Sequence, residues 1–405
     1  MIYVKILFWV CTFLILHSYI FFPFILKFLY SLRQKNKPSK SINSALTPQP
    51  NIPNVACLIS VYNEEKVIQK KIESLITGNY PLEKLDIYVG SDCSSDNTNT
   101  ILKELEERYL NVKVFCFLQR RGKASVINDL LDQIESNQND KKYSLYLFTD
   151  ASVYLDKDTI NKLVRHFDNP EIALADAHII PQGVQSAGIS NSEKTYLNSE
   201  MKVKFLEGEL WGMMMGVFGG CFMIRREMTH KLPSHFVVDD FYLSMKVLEQ
   251  GGKAIYDMEA DCYEGIPGEM REEFKRKLRI SSGNYQNLAC FKHFLWSGPW
   301  QRAFCFFSHK VLRWIGPFLM IGMLLSSFIL ACSGFLFYLS IFLSLAGIMF
   351  LIPLLDKILL RMNIHISYLR HINYFFNMNF ALFLGFIRYC KGIQSGTWEP
   401  PKRNV

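Results

Sequence analysis

From Val55 onward, short apolar runs and helical patterns take turns along the chain. "VACLIS", "LDIYVGS", "VKVFCF" and "YSLYLFT" are rich in β-branched and aromatic residues. Between them lie Glu65 to Thr77, with Val67, Ile68, Ile72, Leu75 and Ile76 on one face, then Thr98 to Tyr109, then Lys123 to Glu135. Strand alternating with helix predicts an α/β domain, a mainly parallel sheet covered by helices on both faces, and in such sheets ligands bind beyond the carboxyl ends of the strands. The residues that follow each run are therefore the first place to look for chemistry. Tyr62, Asn63 and Glu64 follow the first run, Asp92 the second and Asp150 the fourth. One acid in such a place reads as a turn former or cap. Acids after three strands of one sheet converge on one crevice, where their repulsion calls for a cation or a hydrogen-bond donor.

The chain has 405 residues, 49% of them hydrophobic, and the apolar residues are unevenly spread. Ile6 to Leu26 and Trp314 to Leu355 hold no Asp, Glu, Lys or Arg. Roughly 20 apolar residues cross about 30 Å of hydrocarbon. The first stretch thus predicts one span and the second two, with a turn near Ser333 and Gly334. The first is too long for the apolar core of a cleaved signal peptide and has no small-residue cleavage site after it, so residues 1–30 read as an anchor. Lys27, Arg33, Lys35, Lys37 and Lys40 follow it, against a lone Lys5 before it. That asymmetry puts residues 31 onward in the cytoplasm and the protein in the cell's cytoplasmic (inner) membrane.

Residues 31–53, with "SKSINSALTPQPNIP", read as a basic and Pro/Ser-rich linker, and 54–297 as the globular domain. "PWQRAFCFFSHKVLR" mixes aromatic and basic residues, which predicts an amphipathic helix at 298–313 lying on the membrane surface. Residues 314–355 then supply two spans. In 356–405, Asp356, Lys357 and Arg361 imply a return to the cytosol. Ile372 to Ile387 is short for a full span and is interrupted by Asn373, Asn377 and Asn379, so it reads as a tilted, re-entrant or interfacial helix. A third C-terminal span would conflict with the basic tail of Lys391, Lys402 and Arg403, which prefers the cytosol.

The formal net charge of +8 comes partly from the juxtamembrane cluster and partly from Lys275 to Arg279. Attraction to anionic lipid accounts for the first cluster, so membrane lipid is the expected partner and nucleic acid is not. The cysteines, Cys57, Cys93, Cys221 and Cys332 among them, form no CxxC pair, which argues against a zinc site or a disulfide framework and for buried reduced thiols.

"FVVDDFYL" sets Asp239 and Asp240 side by side at the entrance to an apolar segment. One reading is a helix start, because Asp is a favoured N-cap and Phe241 to Gly251 has a helical pattern. The other is chemistry. "ISVYNEE", "GSDCSSDNT", "QRRGK", "FTDAS", "VVDDF" and "KRKLRI", in this order and spacing, resemble the signatures of the family 2 glycosyltransferases, and specifically the membrane-integrated bacterial branch similar to chitin, cellulose, hyaluronan and poly-N-acetylglucosamine synthases. The resemblance spans roughly Asn54 to Leu288. It implies a GT-A fold, Rossmann-like, with one N-terminal and two to three C-terminal membrane helices. It also implies a nucleoside-diphosphate sugar donor, usually carried on UDP.

On that resemblance, Asp92 accepts the imide N–H of uracil, and Tyr62 and Glu64 line the ribose and base pocket. Lys123 contacts the nucleotide where a helix begins, a place suited to anions. The plainer alternatives are a turn former at Asp92, where a calcium loop would lack its central glycine, and solvated helix residues at Arg121 and Lys123. Asp150 falls where the family usually has Asp-x-Asp holding Mg²⁺ or Mn²⁺, and the second acid is here Ser152, a poorer ligand for a hard cation. Asp240 takes the place of the general base, with Asp239 beside it, and two neighbouring acids raise one another's pKa. Arg276 and Arg279 share one helical face and match the family's Gln-x-x-Arg-Trp with Arg276 for Gln and Ile280 for Trp; they meet the departing diphosphate, or else form a basic face on lipid. Gly219 and Gly220 let the acceptor approach closely, or make a tight turn. Trp211 stacks on a sugar or packs in the core.

What the resemblance implies is a membrane glycosyltransferase adding sugar to a growing glycan with a β-linkage. Ile280, lacking the Trp that packs on the acceptor of polymerising members, favours the alternative of a single addition to a lipid carrier. A non-catalytic membrane protein that senses a nucleotide is the reading from another class, in which Asp240 and the two arginines would have no purpose. A transporter is disfavoured, because the apolar spans hold almost no charged residue to line a path.

Overall fold

The computed structural model describes residues 1–36, 52–136, 142–182, 190–265, 270–362, 364 and 366–392. Lys37 and Lys40, most of the linker 31–53, and Lys402 and Arg403 of the basic tail lie outside the described residues. The chain divides into two compact units. One comprises Met1–Leu26, Val184–Ser199 and Pro267–Gly392, the other Lys27–Gly183, Glu200–Ile266 and Ile393–Val405.

The second unit is built on an eight-stranded sheet. Its strands are β1 (Val55–Val61), β2 (Leu85–Asp92), β3 (Val112–Phe117), β4 (Leu145–Thr149), β5 (Val153–Leu155), β6 (Ile172–Gln182), β7 (Cys221–Arg225) and β8 (Lys253–Gly265). They run in the order β3-β2-β1-β4-β7-β6-β8-β5. The half from β3 to β4 is parallel throughout, and β1, β2 and β4 are buried along almost their whole length. Strands covered on both faces need continuous apolar runs, which is why these were visible in the sequence.

Beyond β4 the sheet changes character. β7 enters antiparallel between β4 and β6, β6 and β8 run parallel, and β5 closes the edge antiparallel to β8. The register of β6 against β8 slips between Asp176 and His178. Such irregularities re-aim side chains and commonly sit beside sites. The first helix of this unit, Ile68–Ile76, and the helix Lys123–Ser136 each turn an apolar face onto the sheet.

The other unit is helical. Among the described residues two helices, Ile2–Lys35 and Leu336–Arg361, are long and apolar enough to cross a membrane, and the pair Trp300–Trp314 and Gly316–Cys332, bent by 64°, makes a third if counted as one span. Two of these helices carry a proline in their interior. Pro23 and Pro353 are each preceded by a wide π turn, His17–Phe21 and Gly347–Leu351. A proline lacks the N–H and crowds the carbonyl four residues back, and a π turn just before it absorbs both defects without breaking the helix. Gly334, at φ +88°, turns the chain between Gly316–Cys332 and the helix that follows.

Residues 184–199 and 267–297, which the sequence reading included in the 54–297 domain, group with the helices. Met270–Phe291 packs along Ser367–Cys390, with the rings of Tyr285 and Phe386 5.2 Å apart. The C-terminal helix is thus longer than Ile372 to Ile387, and Arg370, Tyr374 and Asn379 on it are buried. A Cβ built on Gly385 would collide with Ser281 of the facing helix. Gly385→Leu is therefore expected to cost about 1–3 kcal/mol through overpacking. The check is thermal melting in detergent, where an unchanged midpoint would show that the two helices are not closely packed.

Candidate active site

Just past the ends of β1 and β2 stand the only described non-glycine residues with positive φ, Asn63 (51°) and Cys93 (61°). Such conformations persist where the surroundings over-determine them. Here the Asn63 side chain accepts the Ser95 N–H at 2.8 Å, and the Asn63 N–H donates to Ser94 Oγ at 3.1 Å, which ties the two strand ends together. Asp96 accepts the N–H groups of Glu65 and Thr98, so it is a loop former rather than a cation ligand. Glu64 is buried. Tyr62 carries the guanidinium of Arg120 3.7 Å above its ring.

Asp92 is 3% exposed, and its two oxygens accept the backbone N–H groups of Arg121 and Gly122, both at 2.8 Å. The carboxylate thus clamps the turn that starts the helix Lys123–Ser136. It occupies N–H groups that the sequence reading left open to an anion. Each oxygen keeps a second lone pair, so the clamp does not exhaust the acid. Gly122, at φ +90°, provides the backbone conformation that aims both N–H groups at it.

The turn delivers Lys123 into the acids. Its Nζ lies 2.7 Å from Asp150 Oδ1 and 3.9 Å from Asp239 Oδ2. Burial works against the ammonium charge, but Asp150, Asp239 and Asp240 outweigh it, and the pKa of Lys123 is raised. Of the acids expected to converge after the strands, only Asp150 meets this cation; the others around it are Asp239 and Asp240.

Asp240 stands in the first turn of the helix Asp239–Glu249, and its Oδ1 accepts the Phe241 N–H at 2.6 Å. Burial and then the Asp239 carboxylate push its pKa up to about 6, against the opposing pull of Lys123. The helix start and the acid cluster are therefore the same place, and Asp240 belongs to both. Gly219, at φ +84°, lies directly against it: a Cβ there would collide with Asp240 Oδ2. Gly220 behaves differently. A Cβ there would meet Ile179 and Val153 in the core rather than Asp240, so a side chain at Gly220 would disturb packing. A small cavity lies beside Lys123, Gly219, Asp239 and Asp240, with Leu58 and Phe148 in its floor.

The sequence reading missed what holds the turn carrying Gly219. Asp176, in β6, is fully buried and accepts the Phe218 N–H at 3.1 Å, and Glu207 accepts the Met215 N–H at 3.1 Å. Lys204 lies 3.9 Å from Asp176 and 3.3 Å from the centre of the Phe218 ring. Burial raises the pKa of Asp176 to about 7. The available signal was an acid in the middle of the apolar run "IALADAHII".

Among the described residues no three His, Cys, Asp or Glu side chains stand together as a metal cage. Ser152 is buried, while the Asp150 side chain is 38% exposed with one oxygen taken by Lys123. One remaining carboxylate oxygen fits a divalent ion that arrives with a diphosphate supplying most of its ligands. It does not fit an ion held by the protein alone. Arg276 and Arg279 lie on Met270–Phe291 in the helical unit, and Arg276 is engaged by the carboxylates of Glu193 and Glu273.

Profile comparison adds the family. Residues 56–232 match "Glycosyl transferase family 2" and residues 147–360 match "Glycosyl transferase family group 2". The chain belongs to the family 2 glycosyltransferases. This family 2 enzyme is 26% identical over 247 residues to "Probable glycosyltransferase YdaM" of Bacillus subtilis, covering 58% of this chain and 56% of that protein. It is 21% identical over 265 residues to "Poly-beta-1,6-N-acetyl-D-glucosamine synthase" of Staphylococcus epidermidis, covering 64% and 61%. The chain thus spans little more than half the length of these curated relatives. Its fold is similar to that of the "Mannosyltransferase PcManGT from Pyrobaculum calidifontis in complex with GDP-Man and Mn2+", with TM-score 0.68 and 18% identity, covering 95% of this chain and 99% of that one. The GT-A fold expected from the sequence is the fold observed.

Proposed function

We propose that this glycosyltransferase is membrane-bound and inverting, and that it moves a hexose or N-acetylhexosamine from a UDP-sugar to a growing glycan at the cytoplasmic face. The observation that carries the reading is the grouping of Asp150 and Asp239 around the charged Lys123, with Asp240 next to them in the first turn of its helix and against Gly219. Asp240 takes the proton of the acceptor hydroxyl as that oxygen attacks the anomeric carbon. Attack on the face opposite the diphosphate converts an α-linked donor into a β-linked product. Lys123 offsets charge gathering on the departing diphosphate, an effect strongest where water is excluded.

Tyr62 and Glu64 border the nucleoside, and Asp92 accepts the uracil N–H through a remaining lone pair. Asp150 would hold the Mg²⁺ or Mn²⁺ that accompanies the diphosphate, an ion that supplies positive charge to the leaving group. Asp239 and the Gly219 turn border the acceptor. Residues 1–30 anchor the chain, 298–313 lie on the membrane surface and 314–355 form the paired spans, which the length and apolarity of Ile2–Lys35 and Leu336–Arg361 support.

A single addition to a lipid carrier is favoured by one feature, Ile280 in place of the family's Trp. One relative, "Beta-monoglucosyldiacylglycerol synthase" of Synechocystis, is 28% identical over 124 residues, covering 29% of this chain and 24% of that protein. Membranes incubated with labelled UDP- and GDP-sugars and extracted with organic solvent separate the two, since glycolipid enters the solvent and polymer stays behind. Release of nucleotide from none of the donors would remove both.

The raised pKa of Asp240 fixes the sign of the pH response. The base works as a carboxylate, so turnover is level above about pH 6 and falls about tenfold per unit below it. An ordinary carboxylate would hold the rate to a much lower pH. A profile flat from neutrality to pH 5 would remove Asp240 from the role.

A further inference from the structure

Lys71 is fully buried on the helix Ile68–Ile76, and among the described residues no carboxylate forms an ion pair with it. A buried ammonium in that position is costly, and an apolar side chain would fill the space at less expense. Its bonds explain its presence. Lys71 Nζ donates to Thr149 Oγ1 at 2.8 Å and to the Val153 carbonyl, the residues on either side of the turn that presents Asp150. Thr149 Oγ1 in turn donates to the Gly220 carbonyl at 2.8 Å, and the Asp150 N–H reaches the same carbonyl at 3.1 Å. Gly219, the preceding residue, is the one pressed against Asp240.

The structure assigns Lys71 as a positioning residue: from inside the core it ties together the turn bearing Asp150 and the glycine turn that abuts Asp240. This assignment rests on the transfer site proposed above. Lys71 touches neither donor nor acceptor in it. The sheet alone does not hold these turns, because Asp150 to Ser152 lie between β4 and β5 and Gly219 and Gly220 precede β7. Burial lowers the pKa of Lys71 against the pull of Cys221, Cys57, Cys262 and Asp150, and the Thr149 and Val153 oxygens accept its hydrogen bonds.

The test uses the full chain in detergent with Lys71→Met, Thr149→Val and Thr149→Ser. Amide hydrogen exchange in Lys71→Met is expected to quicken about tenfold or more at Asp150 and Val153 and to stay unchanged in the helix Lys123–Ser136. Turnover is expected to fall about 10²-fold, the scale of a 1 Å misplacement. Thr149→Val, nearly the same size, is expected to lose about tenfold, and Thr149→Ser to retain activity because the hydroxyl remains. The double variant Lys71→Met with Thr149→Val should lose no more than the worse single one, since both break one chain of bonds. If Lys71→Met does not fold, Thr149→Val against Thr149→Ser gives the decision. Wild-type turnover in Lys71→Met, equal turnover in the two Thr149 variants, or exchange quickened evenly across the sheet overturns the assignment alone. A wild-type protein that transfers sugar from no nucleotide donor overturns the site reading and this assignment with it.

Discussion

Asp240→Asn is expected to slow sugar transfer about 10² to 10⁴-fold while leaving nucleotide affinity within a few-fold of the wild type. The asymmetry follows from the geometry. Asp240 faces Gly219 and shares Lys123 with Asp150 and Asp239, whereas Asp92 is bound to the N–H groups of Arg121 and Gly122. An amide keeps the size of the acid and its hydrogen bond to the Phe241 N–H, but cannot accept a proton from an attacking hydroxyl. Removing a charge from a group whose ionisation is already opposed by burial also leaves the fold undamaged. Nucleotide binding and single-turnover transfer measured on the same preparation separate the two effects. Transfer at the wild-type rate with nucleotide still bound would remove the base and leave the non-catalytic nucleotide sensor as the better reading.

The second large effect belongs to Gly219→Ala. A side chain at φ +84° is strained by about 1–2 kcal/mol wherever it occurs, and here its Cβ would also displace the Asp240 carboxylate. Displacement of the base by about an ångström costs on the order of 10²-fold in rate. Gly251 supplies the control. It has φ +86°, but nothing lies within 4 Å of the place its Cβ would take, so Gly251→Ala carries the same backbone strain without the collision. Melting temperature is expected to fall in both variants, further in Gly219→Ala because of the collision, and turnover only in Gly219→Ala. Equal turnover in the two would mean that Asp240 does not need its place against Gly219.

The parallel half of the sheet was legible because β1, β2 and β4 are buried on both faces, which demands unbroken apolar runs. β6 and β8 were not, because Asp176, His178, Asp257, Glu259 and Asp261 interrupt them and disguise strands as loops. Asp150 and the Asp239–Asp240 pair were each legible as candidates but not as one cluster, and the structure brings them together around Lys123. Asp92 was legible as a site residue, but its grip on Arg121 and Gly122 was not, since no pattern in the chain announces a bond across so many residues. Lys71 was invisible for a related reason. A lysine in an amphipathic helix reads as a solvated residue, and only the neighbouring strand ends reveal that it points inward.

The most direct test of the central claim, inverting transfer at the Asp150, Asp239, Asp240 and Lys123 cluster, is the anomeric configuration of the product. NMR of material made by the wild-type enzyme from a ¹³C-labelled UDP-sugar, with Asp240→Asn run alongside, reads it without knowledge of the acceptor. The account predicts a β-linked sugar from the α-linked donor and almost none from the variant. An α-linked product, or equal product from both enzymes, would contradict it.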